Sequence, residues 1–143
     1  MPADRIRLGV TATFVVAALA ASGTAAASPN HGCSNGGYFQ NWRTANNLFD
    51  AAVSRMNTGR LLAATSYIQR ARNRVHSAPV PCNSGLLTAR TYTLKEYADT
   101  LQALRASDDG DFSSAQIYLQ RALDEQDIVA RLVRRWEAEH PPT

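Results

Sequence analysis

The chain of 143 residues has little of what most enzymes use. Its three histidines, His31, His76 and His140, are too widely separated for any two to share a metal-binding helix turn. It has no Gly-x-Ser-x-Gly elbow and no glycine-rich phosphate loop. Asp108-Asp109-Gly110-Asp111 lacks the ligand spacing and distal glutamate of a calcium loop, so it reads as a capped turn. These absences argue against hydrolytic, nucleotide-dependent and metal-dependent chemistry. We expect no catalytic residue, no cofactor and no metal.

Lysine is nearly missing as well, since Lys95 is the only one among 15 basic residues. With abundant alanine, this bias fits a high-GC bacterial genome better than a binding signal. Long apolar runs are also absent. The longest, Leu8 to Ala21, falls short of the roughly 20 residues that span a bilayer. Arg5 and Arg7 precede it and Ala25-Ala26-Ala27 follow, the order of a secretory signal peptide. The sequence predicts cleavage before Ser28, with a retained anchor as the competing reading. No Leu-x-x-Cys lipidation pattern precedes Cys33. Once residues 1–27 are set aside the remaining charge is close to balanced, which gives no pull toward nucleic acid.

Both cysteines, Cys33 and Cys82, follow the expected cleavage site, and an exported chain with an even count pairs them. Helical geometry supports the same pairing. Tyr38 to about Thr58 carries Tyr38, Trp42, Ala45, Phe49, Ala52, Val53 and Met56 on one stripe. Arg60 to about Ser77 carries Leu61, Ala64, Ile68, Ala71 and Val75. A turn at Thr58-Gly59 folds these two helices antiparallel and returns Cys82 to Cys33. A zinc site built from His31, Cys33, His76 and Cys82 is the alternative at that end.

Pro79-Val80-Pro81-Cys82-Asn83-Ser84-Gly85 breaks the helical pattern, and a second hairpin follows. Its first helix, about Ser84 to Ala106, has Leu87, Leu94, Ala98, Leu101 and Leu104 on its stripe. Its second, capped by Asp111 and ending near His140, has Phe112, Ala115, Leu119, Ala122, Val129, Val133 and Trp136. The expected fold is all-α: two antiparallel helical hairpins packed as a four-helix bundle over 38–140. An N-terminal segment 28–37 precedes the domain and a tail 141–143 follows it.

The phrase Tyr67-Ile68-Gln69-Arg70-Ala71 returns as Tyr118-Leu119-Gln120-Arg121-Ala122, each copy eight residues after a glycine, Gly59 or Gly110. Internal repetition shows which segments share a structural role. Gly110-Asp111-Phe112 and Ala115 through Ala122 resemble the second helix of a tetratricopeptide-type repeat. That resemblance implies a surface for peptides or proteins rather than a catalyst, and a two-repeat solenoid as the alternative fold. Within the repeat, Tyr67 and Tyr118 fall at the rim of the apolar stripe. Arg70 and Arg121, three residues on, are placed to cover the rings or to face a ligand.

Acids are missing altogether between Ala51 and Lys95, where seven cations lie: Arg55, Arg60, Arg70, Arg72, Arg74, Arg90 and Lys95. From Glu96 to Asp127 eight acids face only Arg105 and Arg121. One consequence is mutual attraction of the two hairpins. The other is an anion-binding patch of Arg60, Arg70, Arg72, Arg74 and His76. Three function classes follow. The first is an exported, non-catalytic module that binds a protein or an anionic envelope component. The second is a haem or lipid carrier with a cavity lined by Tyr38, Trp42, Phe49, Tyr92 and Tyr97, and the third is an enzyme; an inhibitor of an extracellular enzyme is a related reading.

Overall fold

A computed structural model describes residues 32–141. The segment 1–27 expected to be a signal peptide, residues 28–31 with the expected cleavage site and His31, and the last two residues lie outside them. The described chain forms four helices, α1 (Asn35–Asn57), α2 (Leu61–Ser77), α3 (Ser84–Asp108) and α4 (Phe112–Glu139), and no strand among the described residues. It is an all-α bundle in which α1 packs on α2, α2 on α3, and α3 on α4.

The glycines of the repeat explain both turns. Gly59 and Gly110 have φ of 75° and 77°, the left-handed region that side chains with a Cβ avoid. In the first turn the Arg60 N–H donates to Arg55 O at 2.8 Å and the Gly59 N–H to Met56 O at 3.1 Å. In the second the Asp111 N–H donates to Ala106 O at 2.8 Å and the Gly110 N–H to Ser107 O at 3.1 Å. Each turn is therefore a Schellman motif whose last residue also starts the next helix. Asp111 caps α4 by accepting from the Ser114 N–H at 3.0 Å, whereas Arg60 offers α2 no side-chain cap.

At the opposite end, Cys33 and Cys82 form a disulfide with Cα atoms 4.9 Å apart. The surrounding backbone is tied as well. Asn35 Oδ1 accepts from the Cys82 and Asn83 N–H groups, both at 2.8 Å, and the Ser34 N–H donates to Val80 O. Helix α1 begins at Asn35, three residues before the expected Tyr38, because Ser34 caps it by accepting from the Gly37 N–H. Two glycines lower helix propensity in that stretch, and Gly37 sits where the chain passes close to Pro79 and the capping Ser34. A Cβ on Gly37 would come within 3.0 Å of the Pro79 ring.

Core burial follows the expected stripes on α1, α2 and most of α4. Tyr38, Trp42, Ala45, Phe49, Ala52, Ala64, Ile68, Ala71, Val75, Ala115, Leu119, Ala122, Val129 and Val133 are all buried. Two stripes need correction. Phe112 is 55% exposed at the start of α4, and on α3 Leu87 and Ala98 face solvent while Leu86, Ala89, Thr93, Glu96, Tyr97 and Thr100 are buried. Packed against both α2 and α4, α3 buries a broad face that includes polar residues, and apolar periodicity does not register those.

The hairpins are joined by packing rather than by charge. Trp42 Nε1 donates to Thr93 Oγ1 at 3.1 Å, Phe49 stacks on Tyr97 with ring centres 5.1 Å apart, and Phe39 meets Trp136 at 5.0 Å. Among the described residues, no ion pair links Arg60, Arg70, Arg72 or Arg74 to an acid of the second hairpin. Arg135 pairs with Glu139 within α4 itself.

Candidate functional site

Helix geometry divides the expected basic patch. Arg70 and Arg74 are one turn apart on the flank of α2 that meets α1, together with Tyr67. Arg72 is about 200° around the helix from Arg70, so it lies with His76 on the other flank. Arg60 sits at the turn, where it opens α2. These five residues are brought together in sequence but form two surfaces and a turn position.

The α1 side of this flank is the richer one. Tyr67 is half-buried and held from two directions. The Arg55 guanidinium lies 4.1 Å from the ring centre and donates from Nη2 to the Tyr67 hydroxyl at 3.1 Å, while Arg70 covers the ring at 5.1 Å. Arg55 is itself steadied by donating from Nη1 to Ala51 O at 3.0 Å. In the second copy Tyr118 is also half-buried, but Arg121 alone lies over it, at 5.6 Å.

Toward the disulfide end, α1 and α2 enclose a surface groove of about 380 Å³ lined by Gln40, Asn41, Arg43, Thr44, Asn47 and Arg74. Every one of these side chains is polar. Asn41 donates to Gly37 O at 2.7 Å and Thr44 to Gln40 O at 3.2 Å, which fixes their orientation. Arg43 lies 6.0 Å from the centre of the Phe39 ring. The Gln40 and Asn47 amides and the Arg74 guanidinium are exposed on its walls.

On the far side of the bundle is a feature that sequence reasoning missed, a group of carboxylates. Glu96 on α3 is only 5% exposed. Burial raises its carboxyl well above the usual range, and the charges of Glu125 and Asp50 push it further. Glu125 on α4 is pushed up to about 8, first by desolvation, then by the hydrogen bond to Asp99 and by that residue's charge. Lys95 and Arg121 partly oppose this. Glu125 Oε2 is buried with no hydrogen-bond partner, so ionising this carboxyl would leave charge on an oxygen with no donor. Among the described residues no set of three His, Cys, Asp or Glu is placed to hold a metal.

The aromatic residues considered for a carrier cavity are packed. Tyr38, Trp42 and Tyr97 are almost fully buried, Phe49 stacks on Tyr97, and Tyr92 is half-buried with Lys95 at 4.9 Å over its ring. Burial also raises the Tyr38 and Tyr97 hydroxyls well above their usual range. A hollow bordered by Phe49, Val53, Glu96, Thr100, Ala122, Leu123 and Gln126 measures about 10 Å³, room for one water. With Cys33 and Cys82 bonded to each other, neither offers a thiolate to zinc. Among the described residues no helix is long and apolar enough to cross a membrane. Compared with known proteins, the chain matches no family model, no curated sequence and no solved structure.

Proposed function

We propose that this is an exported, non-catalytic binding module whose α1–α2 hairpin engages an anionic partner in the cell envelope or its surroundings. A disulfide suits the oxidising compartment that the expected signal peptide would lead to. The observation that carries the reading is the outer α1–α2 face. Arg70 and Arg74 project there with no acidic partner in the described residues, beside a polar groove. Stability does not require three unneutralised arginines on one 17-residue helix, because solvated charges of one sign repel. The tetratricopeptide-like positions of the second helices agree with a scaffold that presents a binding face.

The test is capture from the native envelope by the purified protein and by an Arg70→Gln, Arg74→Gln variant, each at low and physiological salt. Capture by the unaltered protein should weaken as salt rises, and the variant should retain little of it. Equal capture by both proteins, or capture indifferent to salt, would remove the basic hairpin as the working surface.

A further inference from the structure

We infer that the groove between α1 and α2 is a binding site for a linear anionic glycan, a polymer of sugar or polyol units bearing carboxylate or phosphate groups. This inference rests on the reading of the basic hairpin as the working surface and gives that surface a ligand class.

Three observations point the same way. First, Arg74 lines the groove, and Arg70, which lies over the Tyr67 ring, starts from the same flank about 6 Å further along the helix, one turn, so the α2 side carries two cations rather than one. Each planar fork accommodates a carboxylate or phosphate in a bidentate fashion. A ligand with anionic groups on successive units meets both, and a lone small anion uses only one. Second, the opposite wall supplies Gln40 and Asn47, two turns apart on α1. An amide both donates and accepts, as a sugar or polyol hydroxyl does. Asn41 and Thr44 are already committed to the α1 backbone and keep the wall in shape.

Third, the groove contains no apolar anchor. Protein interfaces draw most of their affinity from buried aromatic and aliphatic residues at the centre. Gln40, Asn41, Arg43, Thr44, Asn47 and Arg74 offer none, and neither of the exposed residues Leu62 and Val80 is part of the lining. A bilayer would likewise need apolar side chains to insert beside the cations. A hydrophilic chain lying along the groove meets the Arg74 guanidinium and the Gln40 and Asn47 amides.

The test is calorimetric titration of the purified protein, disulfide intact, with four probes: oligogalacturonate, poly(glycerol phosphate), neutral dextran, and vesicles containing anionic phospholipid. Binding of either anionic polymer but not of dextran is expected, and the pair of polymers distinguishes a carboxylate from a phosphate preference. Arg74→Gln should weaken it about tenfold, the loss of one charge-assisted contact. Asn47→Ala should weaken it by a smaller factor at unchanged salt dependence. Both positions are exposed, and circular dichroism confirms that each variant is folded. Equal binding of dextran, or unchanged affinity in Arg74→Gln, overturns the inference. Binding of vesicles alone overturns it too while leaving the anionic-partner reading standing. If no anionic probe binds and envelope capture is also insensitive to Arg70 and Arg74, both readings fail together.

Discussion

Ionisation of Glu125 sets the pH response of the bundle, and the sign is fixed by which state holds the proton. Its carboxyl titrates at about 8 in the folded protein against an ordinary 4.5. Between those values the folded state binds more protons than the unfolded state, so stability is full below about pH 4.5 and is lost as pH rises through 8. Glu96 acts in the same direction, because burial and the neighbouring Glu125 and Asp50 raise it as well. The groups that face this pair come from three helices: Asp50 on α1, Lys95 and Asp99 on α3, and Arg121 on α4. The protons leave the set as a coupled unit, so the measured midpoint belongs to the cluster.

A shift from 4.5 to about 8 is a ceiling of about 5 kcal/mol at 1.36 kcal/mol per unit. Glu125 is only half-buried, and screening by solvent reduces that to about 1–2 kcal/mol. For a domain of this size the corresponding fall in Tm from pH 5 to pH 8.5 is about 4–8 °C. Thermal unfolding followed by circular dichroism at several pH values measures it. Glu125→Gln keeps the size of the side chain and removes the charge, so it should hold a higher Tm at pH 8.5 and show a shallower slope. The comparison is with this variant because it carries the same histidines. A wild-type Tm that is level or rises over this range, or a Glu125→Gln slope equal to that of the wild type, would refute the reasoning.

Reducing the Cys33–Cys82 bridge releases a link between residues 49 apart and should lower stability by up to about 4 kcal/mol, read as the difference in denaturant midpoint with and without reductant. The loss should fall below that figure because Asn35 and Ser34 still tie the same end together. Gly59→Ala and Gly110→Ala should each cost about 1–2 kcal/mol and by similar amounts, since both have positive φ and a new Cβ would meet no atom within 4 Å at either site. Chemical denaturation of the two variants checks this, and a clear inequality would mean the turns are not equivalent. Arg60→Asp gives α2 the side-chain cap that α4 already has and removes a cation from a helix N-terminus. It should raise stability by about 1 kcal/mol in the same assay.

The helices could be read from the sequence because their signals are local. Apolar spacing placed Tyr38, Trp42 and Phe49 inward on α1 and Ile68 and Val75 inward on α2. The breaker at Pro79–Gly85 and the two glycine turns fixed the connections, and the turns in their turn brought Cys33 to Cys82. Signals that depend on neighbours far along the chain were lost. Glu96 looks like a solvated residue in its own helix and becomes a buried acid only when α1 and α4 close over it. Leu87 looks like core and faces solvent because α3 turns Leu86 inward instead. The anionic-partner patch failed as a single surface for a simpler reason. Arg70, Arg72 and Arg74 are consecutive charges in sequence, but on a helix every second residue points nearly away from the first.

The repeat is most informative where its copies differ. Both have the same glycine turn, the same buried alanines and a half-buried tyrosine beneath an arginine, so these features belong to the scaffold. Arg55 has no counterpart in the second copy, where Ala106 precedes Gly110 by the same interval. Its guanidinium spans from α1 to Tyr67 on α2, so only the first hairpin has a cationic bridge across its outer seam. Had that bridge been required to hold a hairpin of this type together, the second hairpin would lack something essential, yet α3 and α4 pack on each other without it. Arg55 and Arg74 therefore set the first hairpin apart, with Ala106 and Glu125 at the corresponding positions of the second. A positive outer face on α1 and α2 is what the proposed anionic partner would require.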